Sequence, residues 1–225
     1  FTDNFTSKYS NDAVRRRRRF NENTIRSVDS GNHEIPLHSE SSFTSVCPQI
    51  MWFYGLDVNK KNCAPTTICD GIKVWDKLEI NNRKKFLHDP LIYKVQIKLA
   101  QKSKNIPNKK WYLDNIGIKN PIINFKKSYL NFEFVKFAVN FDEYSKKISF
   151  CNHILSVNDE KQIKKCHFYS KKKLTQNILK QINSITKNLT YEHEWKNNQL
   201  IMLNNNRFLH GRRAIPQNQK RIILN

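Results

Sequence analysis

The order of the apolar runs limits this chain more than any other feature: short runs of strand length lie toward both ends, and the clearest helical period falls between them. From Ser45, VCPQIMWFYGLDV is a dense apolar and aromatic stretch closed by the turn residues NKKN, which predicts a buried strand and its exit. DGIKVWDKL then sets Ile72, Val74, Trp75 and Leu78 on one helical face, with Asp70 as the N-cap. EFVKFAVNF and KKISFCNHIL alternate apolar with polar residues, as two half-buried strands joined through DEYSKK would. LTQNILKQINSITKNL places Leu174, Ile178, Ile182, Ile185 and Leu189 three or four apart, the spacing of a helix face. Beyond it, EHEWKNNQLIMLNNNRFLHGRRAI and KRIILN hold two short apolar runs separated by Asn-rich and basic turns, which predicts paired strands. Strands dominate, no regular strand-helix alternation is present, and neither GxGxxG nor GxxxxGKS/T occurs, so a Rossmann or P-loop architecture is excluded. The expected class is a β-rich α+β domain with helical insertions.

Residues 1–34, which carry the run Arg15 to Arg19, read as a basic, irregular segment, and residues 35–225 as a single domain with a variable insertion around 80–190. With 225 residues, 38% of them apolar and 12% aromatic, the chain can bury a core, and wholesale disorder is excluded. No run of about 18 apolar residues exists to span a membrane, and FTDNFTSKYS lacks the pattern of a secretory signal. The cysteines, Cys47, Cys63, Cys69, Cys151 and Cys166, are odd in number and form no CxxC pair, which points to a reducing cytoplasm. Because the chain begins at Phe1 rather than Met, a segment upstream of it is expected.

Among the seven histidines, His38 lies in PLHSESS, where Glu40 is two residues on and points to the same side if the segment is extended. His210, in NNNRFLHGRR, follows an apolar run and is expected at a strand end or in the turn after it. Two imidazoles and one carboxylate on one face of a metal leave three positions open, the arrangement of non-haem iron(II) oxygenases. Alone, an HxE string is weak, since a histidine is more often a surface or hydrogen-bonded residue than a ligand.

Taken together, PLHSESSF, the strand PQIMWFYGL, APTTICDGIKVWDKL, and WKNNQLIMLNNNRFLHGRR with KRIIL resemble, in order, the blocks of the taurine dioxygenase and clavaminate synthase superfamily of iron(II)/2-oxoglutarate oxygenases. That family's pattern is H-x-D/E, an apolar strand, a small-residue turn with Thr before an Asp and a helix, then a Trp-led strand, D-N-x-R-x-x-H-G-R and a later Arg. The resemblance implies a double-stranded β-helix (jelly-roll) core with flanking helices, and Fe(2+) and 2-oxoglutarate as cofactors. By the same resemblance His38, Glu40 and His210 hold iron, while Thr66 and Arg221, 11 residues past His210, hold the distal carboxylate of 2-oxoglutarate. A guanidinium is the fitting cation for a planar carboxylate. Three departures stand out: Asn204 replaces the Asp of the D-N pair, Cys63 and Ala64 replace a Gly-Gly turn, and Asn225 falls where taurine dioxygenase has its sulfonate-contacting arginine. Taurine is therefore not the expected substrate. Glu40 also disfavours halogenation, because related halogenases have a small residue in that place.

The implied activity is hydroxylation or desaturation, with O2, of an amino acid or related small metabolite, free or carrier-tethered. Forty Lys and Arg against 19 Asp and Glu leave a net charge of +21, which favours acidic partners, an acidic carrier protein among them. Two other readings compete. Arg15 to Arg19, Lys109-Lys110-Trp111-Tyr112 and Lys171 to Lys173 suit a nucleic-acid-binding module. The cations, however, are spread over the chain with no RRM, KH or zinc-finger signature. A catalytically degenerate oxygenase fold used for interaction is the other.

Overall fold

A computed structural model describes residues 27–28, 31–43, 47–58, 63–98, 124–126, 129–156, 163–217, 219 and 221–225. The expected basic segment over 1–34 lies mostly outside these residues, as do the Arg15 to Arg19 run, the NKKN turn and the Lys109 to Tyr112 cluster.

Two antiparallel sheets share the strands that surround the site. Strands β1 (Ile35–His38), β12 (Phe208–Arg212), β3 (Thr66–Asp70) and β10 (Tyr191–His193) form one sheet in that order. The other has the order β11 (Leu200–Asn204), β2 (Ile50–Asp57), β13 (Ile222–Leu224). Along the chain, β1, β2 and β3 alternate between the sheets, and β10 to β13 do so again. That alternation is the winding of a jelly roll, and it corrects one expectation. The runs LIMLN and FLHGR are both strands, yet they do not pair with each other, because β11 joins β2 while β12 inserts between β1 and β3.

Between β3 and β10 lie the helices and a second group of strands. Helix α1 (Gly71–Lys77) starts where Asp70 Oδ1 accepts from Ile72 N at 3.0 Å, the predicted cap. Helix α2 (Ile80–His88) and strand β4 (Leu91–Lys98) follow, and β4 sits in a sheet ordered β5 (Asn124–Lys126), β6 (Tyr129–Lys136), β4, β9 (Ile163–Phe168). A hairpin of β7 (Val139–Asp142) and β8 (Lys147–Phe150) comes between β6 and β9, so EFVKFAVNF is the end of one strand and the start of another rather than a single strand. Helix α3 (Gln176–Leu189) is capped by Thr175 and buries Ile178 and Ile182.

Packing explains why β12 is buried on both faces. Leu209 and Cys69, Cα partners across β12 and β3, turn outward onto a core built from Val74, Trp75, Phe86, Phe150, Ile178 and Ile182. Their neighbours His210 and Ile68 turn the other way, toward a smaller cluster of Met51, Phe53, Trp195, Leu203 and Ile223. Strand periodicity of two separates the faces, so one strand serves both the helix-covered core and the space between the sheets. Gly211 lets β12 fit, since a Cβ there would lie 2.4 Å from Ile35 O and 2.8 Å from Thr67 Oγ1.

Candidate metal centre

His38 and His210 are Cα partners across β1 and β12, which brings together residues 172 apart in sequence. The register of the pair shifts between Ile35 and His38. His210 lies within β12 rather than at its end or in the following turn. Glu40 lies just past β1 in a turn, so the segment is extended only as far as His38. The two side chains converge all the same. Glu40 Oε2 stands 3.7 Å from His38 Nε2 and 3.7 Å from His210 Nε2. One donor atom from each of the three residues fits within 4.8 Å of the others. For metal bonds of about 2.1 Å at right angles, donors sit about 3 Å apart, so a small inward movement of side chains closes the set on a divalent ion. The donor types fit as well, being two imidazoles and a carboxylate.

The ring orientations are fixed by neighbours. His38 Nδ1 lies 2.8 Å from Pro36 O, so Nδ1 carries the proton and Nε2 presents its lone pair toward Glu40. The His38 and His210 rings are 4.6 Å apart, and Phe53 from the opposite sheet meets His210 at 5.3 Å. Behind His38 stands His153, buried, edge-on to the His38 ring at 5.0 Å and to Phe43 at 4.7 Å. It belongs to CNHIL, where its strand-like context gave no sign of this placement.

Glu40 is held by an amide that sequence reasoning passed over. Asn205 Oδ1 accepts from Glu40 N at 2.7 Å, while Asn205 Nδ2 donates to Glu40 O at 3.1 Å and to Pro48 O at 2.8 Å. The side chain thus pairs with the Glu40 peptide as a neighbouring strand would, just where β1 has ended. Ser39 Oγ donates to Asn205 O at 2.9 Å and closes the contact. Asn205 occupies the Asn position of the resembled D-N-x-R pattern, which was the available signal. Asn204, the departure from that pattern, donates to Asp142 Oδ1 at 3.0 Å. Hydrogen bonds from Ser145, with further help from Arg207 and Asn204, hold the Asp142 carboxyl below its usual range despite burial. Arg207 forks onto Asp70, with Nε at 3.2 Å and Nη2 at 2.8 Å, and ties the β11–β12 turn to the start of α1.

Arg221 reaches the segment that leads into Thr66, through Ala64 O. Thr66 is the Cα partner of Arg212, two residues beyond His210 on the inward face of β12, and its Oγ1 accepts from Trp195 Nε1 at 2.8 Å. Arg221 Nη1 donates to Ala64 O at 2.5 Å, so the Cys63-Ala64 turn that replaces the family's glycines offers its carbonyl to this arginine. Burial and the nearby Arg212 push the Arg221 guanidinium down to about 10. Among the described residues Arg221 meets no carboxylate, and its buried Nε has no hydrogen-bond partner. Arg212 itself donates through Nη2 to Gly31 O and to His33 O, anchoring the residues that lead into β1.

A family profile described as "Taurine catabolism dioxygenase TauD, TfdA family" matches residues 1–225. The fold is similar to that of a provisionally assigned alpha-ketoglutarate-dependent taurine dioxygenase from Burkholderia xenovorans, with TM-score 0.59, 11% identity, and coverage of 92% of this chain and 64% of that one. AAD-2, solved with Mn(II) and N-oxalylglycine, gives TM-score 0.55 and 17% identity over 84% of this chain and 66% of its own. An asparagine oxygenase solved with Fe(II), hydroxyasparagine and succinate gives TM-score 0.54 and 12% identity over 89% and 55%. The chain thus spans 55 to 66% of the length of these three proteins. No curated protein sequence matches it significantly.

Proposed function

Because the chain belongs to the TauD/TfdA family of dioxygenases, we propose that it is an iron(II)/2-oxoglutarate-dependent oxygenase whose metal ligands are His38, Glu40 and His210. The convergence of those three side chains to within 4.8 Å carries the reading. Iron(II), when bound, supplies redox chemistry with O2 and open positions for a co-substrate. The net reaction consumes 2-oxoglutarate, O2 and a substrate C–H bond and yields succinate, carbon dioxide and a hydroxylated product, or a desaturated product with water.

The chain's own residues bind and orient. Pro36 O keeps the His38 proton on Nδ1, so Nε2 is the ligand atom, and Asn205 fixes the peptide from which the Glu40 carboxylate reaches the metal. Arg221, a partly buried cation beside a second cation, is a poor arrangement for a protein alone and a good one for a bound dianion. Its charge, with the Thr66 hydroxyl, supports binding of the distal carboxylate of 2-oxoglutarate. Phe53 provides an apolar wall against His210 that limits water around the ligands.

The substrate class proposed is an amino acid or related small metabolite, free or held on an acidic carrier. In support of the carrier, the turn after β9 presents Lys171, Lys172 and Lys173 to solvent, and Ser170 on that turn donates to Asp89 at the end of α2, which itself exposes Lys84 and Lys85. No helix among the described residues is long and apolar enough to cross a membrane. A reducing cytoplasm is the proposed location, supported by five free cysteines whose thiols burial pushes up and so keeps neutral.

The deciding experiment is calorimetric titration of the purified protein with Mn(II), then with 2-oxoglutarate. Tight metal binding that is lost in Glu40→Ala and His210→Ala, with 2-oxoglutarate binding only to the metal-loaded protein, is the expected result. Metal affinity unaffected by both substitutions would overturn the assignment.

A further inference from the structure

We infer that Trp195 is a positioning residue for 2-oxoglutarate, acting through Thr66; this rests on the proposal that Thr66 touches the distal carboxylate. The indole Nε1–H donates to Thr66 Oγ1 at 2.8 Å, and both residues are buried. A threonine hydroxyl has one hydrogen and two lone pairs. Once the indole hydrogen occupies a lone pair, the hydroxyl hydrogen must point elsewhere, and that is the one orientation in which the hydroxyl attracts an anion. Donation into Oγ1 also polarises the O–H bond and strengthens what it gives to the next acceptor. Without the indole, the hydroxyl would spend part of its time with a lone pair toward the carboxylate.

The ring is seated for this role by both sheets. Gly55 of β2 lies under it, where an added Cβ would stand 2.9 Å from the indole Cε3 and 2.8 Å from Lys196 O. His193 of β10, the Cα partner of Thr66, meets the ring edge-to-face at 4.8 Å. The indole therefore spans the crossover from one sheet to the other and cannot tip without displacing strands of both. A ring that merely filled the core would also find an acceptor for its N–H, so substitution must separate the two roles.

The test uses Trp195→Phe, Thr66→Val and the double variant in the full chain, with 2-oxoglutarate binding to the Mn(II)-loaded proteins read by calorimetry. Thr66→Val should weaken 2-oxoglutarate binding by about ten- to a hundredfold, and Trp195→Phe by about fivefold, as for losing one hydrogen bond. The double variant should bind no more weakly than Thr66→Val, and Mn(II) affinity should stay within about twofold throughout. With iron and a turned-over substrate, Trp195→Phe should raise the KM for 2-oxoglutarate and leave kcat unchanged. Unaltered affinity in Trp195→Phe, or a full further fivefold loss in the double variant, overturns the inference while leaving the Thr66 assignment standing. Unaltered affinity in Thr66→Val removes Thr66 from the site, and the inference with it. If Trp195→Phe does not fold, the unsubstituted protein answers by proton NMR with Zn(II). The indole N–H resonance that Thr66→Val shifts should also move when 2-oxoglutarate is added, and an unmoved resonance overturns the inference.

Discussion

Among the described residues, Arg221 is a partly buried cation that meets no carboxylate. Its guanidinium is pushed down to about 10 by burial and by Arg212, and only the Ala64 carbonyl answers it among the described residues. Removing such a cation should cost the ligand-free protein nothing and the liganded one a great deal, since an uncompensated buried charge is a burden until its partner arrives. Arg221→Leu is therefore expected to weaken 2-oxoglutarate binding by about a hundredfold, to leave Mn(II) affinity near normal, and to leave or raise the thermal midpoint without ligand. Titration calorimetry and differential scanning calorimetry read the three quantities. Unchanged 2-oxoglutarate affinity would exclude Arg221 from the site. His38, Glu40 and His210, which the motif resemblance singles out, are brought within 4.8 Å of one another by the fold, and Thr66 and Arg221 are assigned by the same resemblance. The role of Asn205, although its place in the D-N-x-R pattern was visible, and that of His153 come only from what the fold puts against them.

At the scale of elements, the site depends on how strand ends are closed. β1 stops at His38, and the Glu40 peptide is paired by the Asn205 side chain instead of by a strand. Asn205→Ala would remove the amide that pairs with Glu40 N, Glu40 O and Pro48 O, leaving Glu40 O the Cys47 thiol at 3.2 Å, at a cost of about 1 to 3 kcal/mol. Metal affinity should fall about ten- to a hundredfold, as is usual when an outer support of a ligand is removed. Chemical denaturation and Mn(II) titration check the pair; loss of stability without loss of metal affinity would make Asn205 a purely structural clamp. Helix α1 and helix α3 were readable because their apolar spacing, and for α1 the Asp70 cap, are local properties of nine to sixteen consecutive residues. The partners of β11 and β12 were not, since two adjacent apolar runs look alike whether they form a hairpin or cross between sheets, and only long-range pairing decides. Strand β4 carries a period of two, Tyr93, Val95 and Ile97 alternating with Lys94, Gln96 and Lys98, whereas helix α2 is held by contacts from elsewhere, Asn82 by Gln181 of α3.

At the scale of the whole molecule, a net charge of +21 should act on encounter more than on chemistry. If the lysines of the β9 turn and α2 meet an acidic carrier, turnover of a carrier-tethered substrate falls as salt rises from low to physiological ionic strength, while turnover of the same substrate free in solution does not. Steady-state rates at several salt concentrations decide it, and equal insensitivity of both substrates would remove the carrier from the proposal.

The alternation of strands between sheets also has a kinetic side. β1 pairs with β12, and β3 with both β10 and β12, so both early strands of the sheet that bears the two histidines wait for residues more than a hundred positions later. During synthesis, His38 and Glu40 emerge long before His210 exists to meet them. Contacts so distant in sequence make for slow folding, with the edges of β1 and β3 open in the interval. A nascent chain that lacks β12 therefore has neither a metal centre nor a closed sheet.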